Sequence, residues 1–224
     1  MKIHIKRFFD KAADCYDSSA DIQKIIAQKL FEKIDAKNLQ TVFEIGTGSG
    51  IFTEIFLNSF QPSRFIGLDI ACSMVKACGK MNGLFIQADG EKLPLKENSA
   101  DLLISSSVIQ WFQEPESSIL PMLKTLKNGG KFYLSVFCEG TFTEMATIHG
   151  LTGFGNVYPL KSAEFYDDLL KGCDSFTHNI EIRDHVLYFD SVKEFLQKQK
   201  ATGANFTGKK SVTGKQAFKS FCEL

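Results

Sequence analysis

The residues best suited to chemistry are a run of glycines and three acids. Gly46, Gly48 and Gly50 follow a short apolar run, Val42, Phe43 and Ile45, and Glu44 stands two residues before the first glycine. Strand formers, then glycines, then a helical pattern from Ile51 to Leu57 describe the first crossover of a nucleotide-binding α/β domain. Glycine there lets the chain turn sharply and lets a ligand lie on the backbone. A dinucleotide fingerprint would place its third glycine at the position of Ile51, and an ordinary glycine-rich turn would give the same ten residues. Asp69 follows Gly50 by 19 residues. That is about the spacing at which such a fold sets a carboxylate on a ribose diol, one carboxylate accepting from both hydroxyls. Asp89 is the third acid. It leaves another apolar run in Ala88-Asp89-Gly90-Glu91, where a solvated acidic turn is the competing reading.

These residues need elements to hold them. Apolar runs at 42–45, 64–68, 84–87, 101–104 and 131–137 predict strands, with helical patterns between them. The predicted fold class is α/β, a Rossmann-like doubly wound sheet with N-terminal helices. Ligands bind such sheets at the carboxyl ends of the strands. Glu44, Gly46, Asp69, Asp89 and Ser105 all fall at those ends.

Before the sheet, residues 1–17 read as one amphipathic helix. Asp17, Ser18 and Ser19 are cap residues for a second, whose Ile22, Ile25, Ile26, Leu30 and Ile34 keep helical spacing. A helix from Pro115 to Leu126 is predicted to stop at Asn128-Gly129-Gly130 and to be kinked or shifted by Pro121. Further on, the pattern predicts a lid helix over Thr141–Gly150 and a helix over Ser162–Lys171. His178–Phe189 reads as a sixth strand. A helix capped by Asp190 runs to Lys200, and a last one covers Thr213–Cys222. The chain reads as one domain: N-terminal helices over 1–38, a ligand-binding core over 39–138, and a lid and C-terminal part over 139–224.

Composition excludes several functions. The chain has 224 residues, 44% hydrophobic and 23% charged, with a formal net charge of zero. That length gives a sizeable core, and that balance makes no case for nucleic acid or a membrane surface. The six Cys include no C-x-x-C pair and the four His have no metal spacing. With no secretory signal and no apolar run long enough to span a bilayer, reduced thiols and a cytoplasmic location are expected. Lysines at 198, 200, 209, 210, 215 and 219 face only Glu223 in the tail, which suits a solvated face as well as an acidic partner.

Acid-x-Gly-x-Gly-x-Gly, as Glu44-Ile-Gly-Thr-Gly-Ser-Gly50, resembles motif I of the class I S-adenosylmethionine (SAM) methyltransferases. Over nearly its whole length the chain resembles the malonyl-acyl-carrier-protein O-methyltransferases of biotin synthesis. The likeness rests on Phe9-Asp-Lys-Ala-Ala13 with Tyr16-Asp17, Ile22-Gln23, the Glu44 motif, and Asp69 with Ser73-Met74. It continues through Val108-Ile-Gln-Trp111, Phe137-Cys-Glu-Gly-Thr141 and Lys200-Ala-Thr-Gly-Ala204. The resemblance implies methyl transfer from SAM to the free carboxylate of a malonyl group on acyl carrier protein. It further implies that Glu44, Gly46, Gly48, Gly50, Asp69, Ile70, Met74, Asp89, Gly90 and Ser105 hold the cofactor. Tyr16 would close over its methionine end, and Gln110 and Trp111 would meet the substrate carboxylate. Trp111 also reads as an ordinary core aromatic. The family ends on a strand rich in Leu, Val and Ala, and no such run follows Phe221-Cys-Glu-Leu224, so the seventh strand is expected to be missing. A methyltransferase for another small acid or a quinone precursor, or a non-catalytic protein of this fold, would share the core motifs.

Overall fold

The computed structural model describes residues 1–154, 157–173 and 175–202. Three N-terminal helices, α1 (Lys2–Ala12), α2 (Tyr16–Ser19) and α3 (Asp21–Phe31), precede the sheet. Then β1 (Thr41–Ile45), α4 (Ile51–Ser59), β2 (Arg64–Asp69), α5 (Cys72–Ala77) and β3 (Leu84–Gln87) follow. The chain continues with β4 (Ala100–Ser106), α6 (Pro115–Leu123), β5 (Leu126–Ser135), α7 (Thr143–Thr152), α8 (Ala163–Lys171) and α9 (Val192–Ala201). The five strands are parallel in the order β3-β2-β1-β4-β5. The order reverses between β1 and β4, so the carboxyl end of β1 faces the crevice in which doubly wound sheets bind ligands.

Alternation within the strands builds a core on both faces of the sheet. Phe43, Ile45 and Leu103 pack with Ile119, Met122 and Leu123 of α6 on one face. Val42, Leu102 and Ile104 pack with Ala27 and Leu30 of α3 and with Phe52 and Phe56 of α4 on the other. Such two-sided burial is what gives parallel strands their near-continuous apolar runs. Each buried Leu or Phe contributes about 1.5–3 kcal/mol relative to exposure.

Several boundaries differ from the sequence reading. The first helix divides into α1 and α2, and Asp17 and Ser18 lie inside α2 instead of capping α3. Helix α6 ends at Leu123, with Pro121 inside it. Asn128, Gly129 and Gly130 do not stop a helix. They form an irregularity in β5, where pairing passes from Ala100↔Leu126 to Leu102↔Lys131. Helix α9 is capped by Ser191, whose hydroxyl accepts from the Glu194 N–H, and not by Asp190. Residues 178–189 form no strand. Their alternation is present, but Ile182 and Val186 are each 70% exposed and Tyr188 93%. Propensity alone does not make a strand where no ladder partner is taken up. The predicted helix over Thr213–Cys222, and whatever would follow it, lie outside the described residues.

Candidate cofactor and active site

The glycine loop is built by its backbone. Gly46, Gly48 and Gly50 have φ of +76°, +53° and +98°. The Gly46 and Thr47 amides both donate to the Leu68 carbonyl, at 2.6 and 3.0 Å. The Gly48 amide donates to Asp69 Oδ2 at 2.9 Å, while Asp69 Oδ1 accepts from the Ala71 amide at 2.8 Å. The loop is thereby clamped to the end of β2. Gly46 packs under Val108, but a Cβ on Gly48 would meet nothing within 4 Å. The surface at Gly48 is therefore open backbone on which a ligand can lie.

The acids differ in environment. Glu44 is buried beneath the loop and accepts from Thr53 Oγ1 at 2.5 Å; burial pushes its carboxyl up to about 8. Asp69 is pushed up to about 6, again by burial first, with the Ala71 and Gly48 amides pulling the other way. Asp89, beyond β3, meets Lys2 Nζ at 2.6 Å, and the same ammonium lies 2.5 Å from Glu91 Oε2. Glu91 Oε1 also accepts from the Glu114 amide at 2.6 Å and from Ser118 Oγ at 3.3 Å. The Glu91 side chain is only 4% exposed. Lys2→Met leaves that carboxylate without its cation. It is expected to lower the melting temperature at pH 7 by more than Lys11→Met, a change at an exposed lysine; equal melting temperatures would show that the pair contributes nothing.

The N-terminal helices roof the cavity. Ile5, Phe9, Tyr16, Gln23 and Ala27 line it from above. The roof is stitched down where the Ser73 amide donates to Asp10 Oδ1 at 2.9 Å and the Ser49 hydroxyl donates to Asp17. Phe9 meets Trp111 edge-on at 5.8 Å between ring centroids, and Trp111 meets Tyr158 at 4.8 Å. Burial, then the charge of Asp69, pushes the Tyr16 hydroxyl above its usual range, so it stays a neutral donor.

Of the residues singled out in the sequence, Tyr16, Glu44, Gly46, Gly48, Asp69, Ile70, Met74, Asp89, Gly90 and Trp111 line this one cavity. Three do not. Gly50 is the left-handed cap of α4 and packs against Met81 and Cys78. Ser105 is fully buried and donates to the Ile45 carbonyl at 2.9 Å, tying β4 to β1. Because β4 runs on to Ser106, the cavity wall passes to Ser106, Ser107 and Val108. Gln110 turns inward and donates from Nε2 to the Ser107 carbonyl at 2.7 Å, bracing a residue whose φ is +60°. Lys2, Phe9, Gln23 and Ser107 line the cavity without having been singled out as site residues.

Among the described residues, no group of three His, Cys, Asp or Glu side chains gathers as a metal site would, and no helix is long and apolar enough to cross a membrane.

Residues 43–134 match the family described as a methyltransferase domain. A malonyl-[acyl-carrier protein] O-methyltransferase of Marinomonas sp. (strain MWYL1) is 26% identical over 210 residues, covering 91% of this chain and 78% of the relative. Among solved structures, a chain of the complex between the Haloferax volcanii Trm112 methyltransferase activator and a methyltransferase superposes with a TM-score of 0.66. It is 22% identical, with 85% of each chain covered. Phosphoethanolamine N-methyltransferase 2 of Haemonchus contortus, solved with phosphomonomethylethanolamine and S-adenosylhomocysteine, gives 0.56 at 18% identity over 75% of this chain and 44% of that one. The chain thus carries a methyltransferase domain over residues 43–134, laid over the glycine loop and the sheet that holds it, on a fold shared with these solved methyltransferases.

Proposed function

We propose that this enzyme binds SAM in the cavity under α1–α3 and methylates the free carboxylate of a malonyl thioester on acyl carrier protein, an early step of biotin synthesis in the cytoplasm. One observation supports the cofactor above all. Acids at the carboxyl ends of β1, β2 and β3 surround an open glycine loop within one cavity. The substrate rests on the whole-length likeness to proteins named for that reaction.

The residues present fit SAM. Asp69 has carboxylate lone pairs left for the two ribose hydroxyls, and Asp89 accepts from the adenine amino group. Ile70 and Met74 supply apolar surface, and the bare backbone at Gly48 admits close approach. Bound SAM supplies a methyl group on a sulfonium, ready for in-line displacement. Phe9, Tyr16 and Trp111 form an aromatic wall that keeps water out and faces a cation favourably. A malonyl carboxylate is already ionised at pH 7, so the acceptor needs no general base. The neutral Tyr16 hydroxyl and the Trp111 indole N–H are donors that can align it. Once esterified, the group no longer carries the charge that apolar elongation pockets reject.

Incubation with methyl-labelled SAM and malonyl-acyl carrier protein tests the reading. The expected product is a labelled methyl ester on the malonyl group. Label appearing only on another small acid or a quinone precursor refutes the substrate. No label together with no heat of SAM binding refutes the enzyme reading altogether.

A further inference from the structure

On the reading that this cavity holds SAM, we infer that Gln23 of α3 grips the amino-acid end of the cofactor's methionine portion. The cavity has two ends, set by the fold. Helix α1 packs on α5, which in turn packs on β2 and β3, so Lys2 reaches Asp89 at the β3 end. Helix α3 packs instead on α4, β4 and β5. Gln23 therefore stands at the opposite end from Asp89. With adenine at Asp89 and ribose at Asp69, the rest of the ligand must run toward β1 and β4, under α2 and α3.

At that end the structure holds polar atoms with nothing to bond. Gln23 Oε1 and Ser107 Oγ both line the cavity, are buried, and have no hydrogen-bond partner. A buried acceptor without a partner is disfavoured, and such groups persist where a ligand completes them. The chemistry of a carboxamide matches the missing group. Its oxygen accepts from an ammonium and its N–H₂ donates to a carboxylate. An α-amino acid presents both charges on one carbon. No acid or base is needed, so the zwitterion is held without adding charge to a cavity already lined by Glu44, Asp69, Asp89 and Glu91. The Ser107 hydroxyl, held on a backbone with φ of +60°, is the second polar contact available there.

The discriminating ligand is one that lacks the amino-acid end. S-adenosylhomocysteine has it and 5′-methylthioadenosine does not, while both share the adenosine. Titration calorimetry of each ligand into wild type and Gln23→Leu is expected to show S-adenosylhomocysteine weakened about tenfold or more, the effect of a lost hydrogen bond to a charged group. Methylthioadenosine affinity is expected to stay the same, which also shows that the variant is folded. Gln23→Met, closer in length to glutamine, should behave like Gln23→Leu. If both variants lose both ligands equally, or lose neither, Gln23 does not grip the amino-acid end. If wild type binds neither ligand, the cofactor reading fails first, and this inference fails with it.

Discussion

Asp69→Ala is expected to weaken binding of SAM and of S-adenosylhomocysteine by at least a hundredfold. Two ribose hydroxyls donating to one carboxylate are charge-assisted bonds worth about 1.5–3 kcal/mol each. The change also releases the Gly48 amide, which Asp69 Oδ2 holds at 2.9 Å, so the loop keeps only the Gly46 and Thr47 bonds to the Leu68 carbonyl. Asp69→Asn separates the two effects, since its amide oxygen can still accept from Gly48 but carries no charge. Calorimetric affinities within twofold of wild type for Asp69→Ala would show that the ribose lies elsewhere.

The same carboxylate predicts a pH dependence with a definite sign. Burial pushes Asp69 up to about 6, so in the ligand-free protein it is protonated below that value. Hydroxyl donors favour the ionised form, and binding must therefore expel the proton at low pH. Affinity should rise roughly tenfold per pH unit up to about 6 and level off above it. Glu44, pushed up to about 8, keeps its proton throughout that window and does not obscure the curve. Asp69→Asn should flatten it. The stability of the ligand-free protein runs the opposite way. A carboxyl with a raised folded-state pKa binds more protons folded than unfolded, so Asp69 and Glu44 make the protein less stable as pH climbs through their shifted range.

What the sequence made legible was local. Glu44, Asp69 and Asp89 each sit where a short apolar run gives way to a turn, and a strand's carboxyl end is read from a few residues. All three line the cavity. Ser105 falls outside the cavity because β4 continues to Ser106, and one residue on a strand turns a side chain from cavity to interior. Gln110 falls outside it because its turn folds the amide back onto Ser107. Lys2 was missed for a different reason. Its partner Asp89 is 87 residues away, and nothing around Lys2 distinguishes it from the other lysines of an amphipathic helix. The Asn128-Gly129-Gly130 run carries the composition of a helix stop, yet β4 pairs on either side of it and draws it into a bulged strand. In 178–189 alternation predicted a strand, but a strand also requires a free edge that the segment takes up.

Gly46→Ala is expected to cost about 2–5 kcal/mol of stability, read from urea unfolding. The position combines two demands that only glycine meets at once. Its φ of +76° lies in the left-handed region, which costs an alanine about 1–2 kcal/mol. A Cβ would also stand 2.2 and 2.5 Å from the two methyls of Val108, a stiff β-branched side chain with few rotamers open to it. Overpacking of that kind typically adds about 1–3 kcal/mol. The two costs separate in a double variant. Val108→Ala removes the two methyls and leaves only the Cβ of that residue 2.9 Å away, so Gly46→Ala should cost less in that background by the energy of the methyl clash. The remainder is the conformational cost of about 1–2 kcal/mol together with what the contact to the remaining Cβ adds. Equal costs in both backgrounds would mean that Val108 yields freely and that backbone strain alone requires glycine there. Since Val108 also lines the cavity, the single variant should lose S-adenosylhomocysteine affinity and the double variant should regain part of it. Recovery of stability without recovery of binding would place the ligand away from the β1 loop.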